Sequence, residues 1–291
     1  MSRLRTRLLQ VLAAGLMGLA TIPARTEAAP ACFRAGFHVV LDIGHTTDDT
    51  GAMSAHGVTE FAYNQVLALE IDQRLAEMGF PAPLLLLEAG PGKRSLYHRM
   101  ARANARPADL FLSIHHDAVP DNFVETWDDD GTARPFSDRF KGHSIFVSFG
   151  NRLRQRSLAF AERLGRAMQA HGLVHTPHYA ERFMGRYRRE PLDAATGVYR
   201  YDRLHVLRTA RMPAVLLEAG SILNRAEALD LQTPERRAAI VAAVTEAIDG
   251  ACADIKQPER IAKAHRRHRL ARRAAAQPRE MPVHTTADSN R

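Results

Sequence analysis

Residues 37–45, with the sequence FHVVLDIGH, decide the fold of this chain. The first five form a short apolar run, which predicts a strand buried on both faces of a parallel sheet. Residues 60–78 follow with apolar side chains at helical spacing and a glycine directly after the last of them, so they predict a helix. A buried strand that leads into an amphipathic helix is the repeating unit of an α/β fold.

The alternation of strands and helices continues along the chain. Further short apolar runs predict strands at 84–87, 110–114, 144–148, 205–207 and 214–217. Further helices are predicted at 95–105, at 154–171, and after Thr233, which caps the last helix with Pro234 in its first turn. We therefore expect an α/β fold: a single domain with a mainly parallel twisted sheet flanked by helices on both faces.

The composition bounds the class of protein. Of the 291 residues, 45% are hydrophobic and 25% are charged, which is typical of soluble globular proteins and excludes a collagen-like fibre or a polytopic membrane protein. The formal net charge is +8, but residues 1–28 carry +3 and residues 256–291 carry +7, so the middle of the chain is slightly acidic. This distribution gives no support to nucleic-acid binding, and we expect none.

The first 29 residues are predicted to be a Sec-type signal peptide. Arg3, Arg5 and Arg7 precede an apolar run that ends near Ala20, and small residues follow it. The run is shorter than the ~20 residues of a membrane-spanning helix, so an uncleaved anchor is the less favoured alternative. Export through this signal places the protein in the periplasm, or otherwise in the medium or at the cell wall.

The two cysteines and the basic C-terminal segment mark the ends of the predicted folded domain, residues 30–254. In an oxidising compartment, Cys32 and Cys252 either form a disulfide that joins the two ends of the domain or remain buried thiols. Residues 255–291 predict a basic disordered tail, because charge blocks at chain ends are commonly solvated. The alternative is a tether that touches anionic surfaces of the cell envelope.

Polar side chains with metal-binding or acid–base chemistry follow three of the predicted strands. His45 follows the first strand, His115 the third and Glu218 the last, while Glu60 opens the first helix. The carboxyl ends of parallel strands meet at one edge of a sheet, so we expect these groups to converge. Two imidazoles and a carboxylate with an open position form a catalytic zinc set, and a further carboxylate nearby can act as a general base.

Three ordered blocks of sequence resemble the zinc-dependent N-acetylmuramoyl-L-alanine amidases of the amidase-3 type. The first block comprises Asp42, Gly44, His45, Gly51, Ala52, Gly57 and Glu60. The second comprises Arg99, Ala103, Asn104 and residues 108–115, and the third comprises residues 206–208 and 213–218 with Asn224. The resemblance spans roughly residues 37–250. Departures from the pattern at Thr46-Thr47, Phe61 and His116-Asp117 suggest a divergent branch.

The resemblance implies that His45, Glu60 and His115 bind one zinc ion per chain and that Glu218 is the catalytic carboxylate. The implied reaction is hydrolysis of the amide between N-acetylmuramic acid and L-alanine in peptidoglycan, in cell-wall remodelling or daughter-cell separation. Two alternatives remain: a zinc peptidase that acts on the stem peptide, and a non-catalytic peptidoglycan-binding protein on the same fold. Besides peptidoglycan, an activator protein is a candidate partner, and we expect a monomer.

Further residues are assigned by their positions around this set. Arg99 and Arg208 either hold a substrate carboxylate or stabilise the fold. Asp117 and Asp42 are expected to support the ligands, with a cap of the next turn as the alternative for Asp117. His116 should point away from His115, into the core.

Two irregular stretches, 118–141 and 172–203, are long for loops in a compact α/β domain. Within them, residues 128–131 are predicted to be a solvated turn, and His175, His178 and Glu181 surface polar residues. The 172–203 stretch is also rich in arginine, namely Arg182, Arg186, Arg188, Arg189, Arg200 and Arg203. We hypothesise that it grips substrate or shields the metal, with a passive surface excursion as the alternative.

Overall fold

The computed structural model describes residues 32–275, so the predicted signal peptide lies outside the described residues. The strands of the described part are β1 (Val39–Ile43), β2 (Leu84–Leu86), β3 (Leu110–Asp117), β4 (Glu125–Asp129), β5 (Thr132–Phe136), β6 (Ser144–Val147), β7 (Glu190–Asp193), β8 (Val198–Arg200) and β9 (Ala214–Ser221). The α-helices are α1 (Glu60–Glu77), α2 (Gly92–Asn104), α3 (Arg154–Ala170), α4 (His205–Thr209), α5 (Arg225–Asp230) and α6 (Pro234–Ala275).

Seven of these strands form one sheet in the order β2-β1-β3-β9-β6-β8-β7. The pairs β1–β2, β1–β3, β3–β9 and β6–β8 are parallel, whereas β6–β9 and β7–β8 are antiparallel. The expected mainly parallel sheet is therefore confirmed. Its centre, β1-β3-β9, is the part from which the candidate site is built.

Helices cover both faces of the sheet, as predicted. Alternate residues of β1 point to opposite faces, so Leu41 packs into the core formed with α1, α3 and α6, and Val40 packs into the core formed with α2 and α4. Both cores are closely filled, and Leu41 and Val40 are buried. This double coverage explains why the central strands read as continuous apolar runs rather than alternating ones.

The structure corrects the sequence prediction in the second half of the chain. The run at 205–207, predicted to be a strand, is the start of helix α4, because a short apolar run has the same pattern in a buried helix and a buried strand. The stretch at 172–203, predicted to be irregular, contains β7 and β8, which extend the sheet beyond β6. The stretch at 118–141 contains the β4–β5 hairpin, and its turn lies at the predicted residues 128–131.

The two ends of the domain are joined by a disulfide between Cys32 and Cys252, with the Cα atoms 5.2 Å apart. Arg34 pairs with Asp249 at 2.6 Å beside this bond, so the N-terminal segment is held against α6. Helix α6 continues to Ala275, past the boundary predicted at residue 254, and residues 276–291 of the predicted tail lie outside the described residues. Between residues 32 and 275, no helix is long and apolar enough to cross a membrane.

Candidate active site and metal centre

Side chains from three separate elements meet at the carboxyl edge of β1, β3 and β9. His45 Nε2 lies 2.9 Å from Glu60 Oε2, and His115 Nδ1 lies 2.8 Å from Glu60 Oε1. Each of the three residues offers one ligand atom, and these atoms all lie within 4.8 Å of one another. The predicted ligand residues are therefore brought together as a cluster that could hold a metal ion.

The backbone at His45 is held in an unusual conformation by a buried arginine. His45 has a φ of 68°, in the left-handed region that non-glycine residues rarely adopt. Arg99 donates from Nη1 to Ile43 O at 2.6 Å and from Nη2 to His45 O. The same Nη1 donates to Asp42 Oδ1 at 2.5 Å, and Ser113 Oγ donates to Asp42 Oδ2 at 2.6 Å. Asp42 and Arg99 thus fix the turn that presents His45.

Arg99 was predicted either to hold a substrate carboxylate or to stabilise the fold. The residue is only 1% exposed, and its guanidinium is bonded to a carboxylate and two carbonyls, so it holds the turn that presents His45. Among the described residues, Asp42 contacts this turn through Arg99. A role of Arg99 toward substrate stays a prediction.

Glycine is required where the ligand side chains approach the backbone most closely. A Cβ on Gly44 would lie 2.5 Å from the His115 ring. A Cβ on Gly51, which has a φ of 75°, would lie 2.7 Å from both Glu60 Oε2 and the His45 ring. The two glycines of the first sequence block therefore leave the space in which the ligand cluster packs.

Glu218 lies beside the cluster because its strand pairs with the strand of His115. His115 and Glu218 are register partners on the parallel strands β3 and β9, so their side chains leave the same face of the sheet. The Oε2 atom of Glu218 is buried and has no hydrogen-bond partner among the described residues. Burial, together with the charges of Asp117 and Glu60, raises the pKa of Glu218 well above its usual value.

The carboxylate of Glu60 is in the opposite electrostatic state. Burial alone would raise its pKa, but hydrogen bonds from His115 and His45 outweigh burial and hold the pKa of Glu60 below its usual range. These hydrogen bonds favour the charged form of Glu60, which is the form that binds a metal ion, whereas burial favours the protonated form of Glu218. The two carboxylates differ because one is paired with imidazoles and the other is not.

Among the described residues, Asp117 contacts Tyr179 and His178 rather than the imidazoles of His45 and His115. Its Oδ1 accepts a hydrogen bond of 2.8 Å from the Tyr179 hydroxyl, and His178 Nε2 lies 4.0 Å from its Oδ2. Burial raises the pKa of Asp117 to about 7 against the effect of the Tyr179 bond. His178 is buried, so the prediction that it lies on the surface was wrong. Nothing in the local sequence pairs 117 with 178 or 179.

His116 points away from the cluster, as its place on the strand predicts. Its Nδ1 lies 2.8 Å from Asn64 Oδ1 of α1, and burial lowers its pKa to about 3.

Arg208 lies on α4 with its stem against Gly150, is exposed, and is absent from the residues that line the cavity at the cluster. Both roles of Arg208 therefore stay predictions.

The cluster opens into a cavity of about 280 Å³, here called the catalytic cavity. His45, Glu60, His115 and Glu218 form its floor. Its rim includes residues of the 172–203 stretch and the residue that follows it, namely Tyr179, Tyr187, Arg189, Tyr201 and Leu204. Residues 118–120, at the start of the other long stretch, also line the cavity. The sequence drew attention to this stretch through its arginines, but the tyrosines were missed, because no local pattern marks them as rim residues.

Fold and site together define an α/β protein with a candidate hydrolytic metal centre. The Amidase_3 family model, described as N-acetylmuramoyl-L-alanine amidase, matches residues 39–250. No curated protein sequence matches this chain at a significant level. Because the family model covers most of the chain, the chain belongs to the N-acetylmuramoyl-L-alanine amidases of this family, which are peptidoglycan hydrolases.

Solved structures of amidases share the fold. The amidase Ami1 from Mycobacterium smegmatis aligns with a TM-score of 0.59 at 19% identity, over 76% of this chain and 99% of that one. The amidase AmiC2 of Nostoc punctiforme aligns with a TM-score of 0.53 at 20% identity, over 73% and 94%. The catalytic domain of CwlV from Bacillus (Paenibacillus) polymyxa var. colistinus aligns with a TM-score of 0.52 at 24% identity, over 74% and 95%. At these identities the likeness concerns the fold.

Proposed function

We propose that this chain is a zinc-dependent amidase that hydrolyses the amide between N-acetylmuramic acid and L-alanine in peptidoglycan. The observation that carries the proposal is the convergence of His45, Glu60 and His115 on one cavity with the unpartnered Oε2 of Glu218. Membership of the amidase family supplies the class of substrate, and the cluster supplies a means of attacking an amide.

The donor set fits zinc. Two imidazole nitrogens and one carboxylate oxygen, with space for a further ligand on the cavity side, are the three protein ligands of a catalytic zinc site. Magnesium and calcium favour sets made of oxygen atoms, so the two imidazoles argue against both ions. Zinc, when bound, supplies Lewis-acid polarisation of a carbonyl and makes water more acidic.

The residues of the chain supply the proton transfers. Glu218 is placed to take a proton from the water that attacks the lactyl carbonyl and to pass a proton to the departing amine of L-alanine. Its Oε2 has no competing hydrogen bond among residues 32–275, so this oxygen is available to the reacting groups. Asp42 and Arg99 hold His45 in position throughout, and Tyr179 holds Asp117 beside the cavity.

Analysis of the products from purified peptidoglycan tests the reaction. An amidase releases stem peptides with free L-alanine amino termini and leaves unsubstituted muramic acid on the glycan. Cleavage inside the stem would identify a peptidase instead, and binding without products would identify a non-catalytic wall protein. A Glu218→Gln variant, which keeps the shape of the carboxylate but accepts no proton, is the matched control.

We further propose that the chain is exported by the segment at residues 1–29 and that residues 30–254 are the catalytic domain. The disulfide between Cys32 and Cys252 supports an oxidising compartment, for which the periplasm is the first choice. The basic residues beyond 255 would then lie near anionic envelope surfaces. Secretion of a fusion of residues 1–35 to a reporter, compared with the same fusion carrying Arg3, Arg5 and Arg7 changed to Glu, tests the signal.

A further inference from the structure

A second cavity adjoins the catalytic cavity and is unusually rich in arginine. This arginine groove has a volume of about 600 Å³, and it shares Tyr187, Arg189 and Tyr201 with the rim of the catalytic cavity. Its lining consists of Arg186, Tyr187, Arg188, Arg189, Glu190, Arg200, Tyr201, Asp202 and Arg203. Five arginines against two acids give the lining a net charge of +3.

Both acidic residues of the groove form ion pairs with the same arginine. Arg200 pairs with Glu190 at 3.2 Å and with Asp202 at 2.7 Å. None of the other four arginines forms an ion pair with a carboxylate of the described residues. The groove therefore presents guanidinium groups that the protein itself leaves uncompensated.

Arg189, at the junction of the two cavities, is held in place without using a carboxylate. Its Nη1 donates to the carbonyls of Arg186 and Arg188 at 3.2 and 3.0 Å, and its guanidinium carbon lies 3.8 Å from the centre of the Tyr201 ring. Its Nε is buried and has no hydrogen-bond partner in the described part of the chain. A guanidinium that is fixed by backbone and ring contacts is preorganised for an anionic ligand.

We propose that the arginine groove is a subsite for free carboxylates of the stem peptide. Guanidinium groups bind carboxylates with two parallel hydrogen bonds, and this planar fork matches the groups that stem peptides carry. The groove shares three lining residues with the cavity in which we place the amide, so a stem attached at the cleaved bond would extend toward it. The proposal rests on the proposed function and adds a preference for stems with free over amidated carboxylates.

The steady-state test compares two substrates that differ only in charge: a muramyl tetrapeptide with free carboxylates and the same compound with its carboxylates converted to carboxamides. Arg186 and Arg203 are exposed, so the double variant Arg186→Gln/Arg203→Gln leaves the fold intact. It should raise KM for the free acid about ten-fold with kcat within two-fold, and leave the amidated compound unchanged.

The control removes the same charge elsewhere. Arg182 and Arg156 are also exposed and line neither cavity, so the double variant Arg182→Gln/Arg156→Gln should behave like the unmodified chain. An equal change for both substrates in the groove variant, or an equal change in the control, would overturn the subsite.

Calorimetric binding of the released tetrapeptide separates the subsite from the reaction. The unmodified chain should bind the free acid about ten-fold more tightly than the amidated peptide, and the groove variant should lose this preference. If neither substrate is cleaved, the proposed reaction is wrong. The subsite is then tested only by whether the free-acid peptide binds more tightly than the amidated peptide. Absence of the preference, or competition by inorganic phosphate at equal concentration, would overturn a site for peptide carboxylates.

Discussion

The metal cluster and the 172–203 stretch border one cavity but are held in place by different means. The cluster is fixed by strand ends, by the buried pair of Asp42 and Arg99, and by close packing against Gly44 and Gly51, where a Cβ would not fit. The stretch adds β7 and β8 to the edge of the sheet and is tied to the cavity by contacts such as the bond from Tyr179 to Asp117, while most of its arginines are exposed. The comparison leads to the prediction that the sheet edge carries the chemistry while the 172–203 stretch carries the choice of substrate.

The largest effect should follow from removing a ligand. His115→Ala leaves two ligands, and two ligands hold zinc far more weakly than three, so zinc should fall from one per chain to near zero. Amidase activity should drop by at least ~1000-fold. Elemental analysis checks the metal content, and the exposed His98→Ala is the matched control. Full zinc content in His115→Ala would remove His115 from the ligand set.

Removing the proton acceptor should abolish catalysis without loss of the site. Glu218→Gln keeps the size and shape of the side chain, so the variant should retain its zinc and its melting temperature. Its kcat should fall by at least ~100-fold, the usual scale of general base catalysis. Turnover near that of the unmodified enzyme would contradict the role assigned to Glu218.

A change beneath the cluster should act through His45. Arg99→Lys keeps the charge but cannot reach Asp42 and two carbonyls at once, so it should destabilise the fold by about 2 kcal/mol. Zinc affinity should fall by about ten-fold, as for other residues that orient metal ligands. KM at saturating zinc should not change. Arg102→Lys, on the exposed side of the same helix, is the control, and a raised KM confined to Arg99→Lys would favour the substrate role instead.

Shortening the 172–203 stretch tests its role at the catalytic cavity. Replacing residues 180–196 by a short Gly-Ser linker removes the edge strand β7 together with Arg186, Arg188 and Arg189, and it keeps every residue of the cluster. We expect full zinc content and a KM raised about ten-fold. Higher activity on purified wall would show that the stretch shields the metal, and unchanged kinetics in a folded variant would show a passive surface loop.

The last prediction concerns the stability of the fold, not its activity, at the junction between the 172–203 stretch and the sheet. His143 Nε2 donates to Thr196 O at 3.3 Å, its Nδ1 is buried without a partner, and burial lowers its pKa to about 4. The pKa of His143 is lower in the folded protein than in the unfolded chain. Its contribution to the free energy of unfolding is therefore complete above pH ~6.5 and is lost as the pH falls through about 4. The loss reaches about 3 kcal/mol at acid pH.

Urea unfolding between pH 7 and pH 4 measures this dependence. His143→Gln keeps a donor for Thr196 but does not titrate, so its free energy of unfolding should fall less steeply with decreasing pH. Burial also lowers the pKa values of His116 and His178. Both residues are still present in the variant, so part of the acid sensitivity should remain. Identical slopes for the two proteins would show that His143 takes no part.

The elements that carry the cluster were predictable because their signals are local. Strands β1, β3 and β9 contain short apolar runs, and α1 has its buried residues at helical spacing. His45 follows β1, whereas His115 and Glu218 lie in the carboxyl-terminal halves of β3 and β9. The rule that parallel strand ends meet at one edge then brings His45, His115 and Glu218 together. The errors fall where the signal is ambiguous: α4 has the same short apolar pattern as a strand, and β8 is only three residues long.

The sequence by itself determined the α/β class, and it predicted the cluster of His45, Glu60 and His115 with Glu218 nearby, because each of these signals is a residue type at a set place in a strand or helix. Only the tertiary structure decided which groups surround them. The burial of Arg99, the bond from Tyr179 to Asp117 and the pairing of Arg200 with Glu190 and Asp202 join parts of the chain that no local pattern relates. Charge compensation is such a pairwise property, so the uncompensated groove follows from the fold and not from the count of arginines.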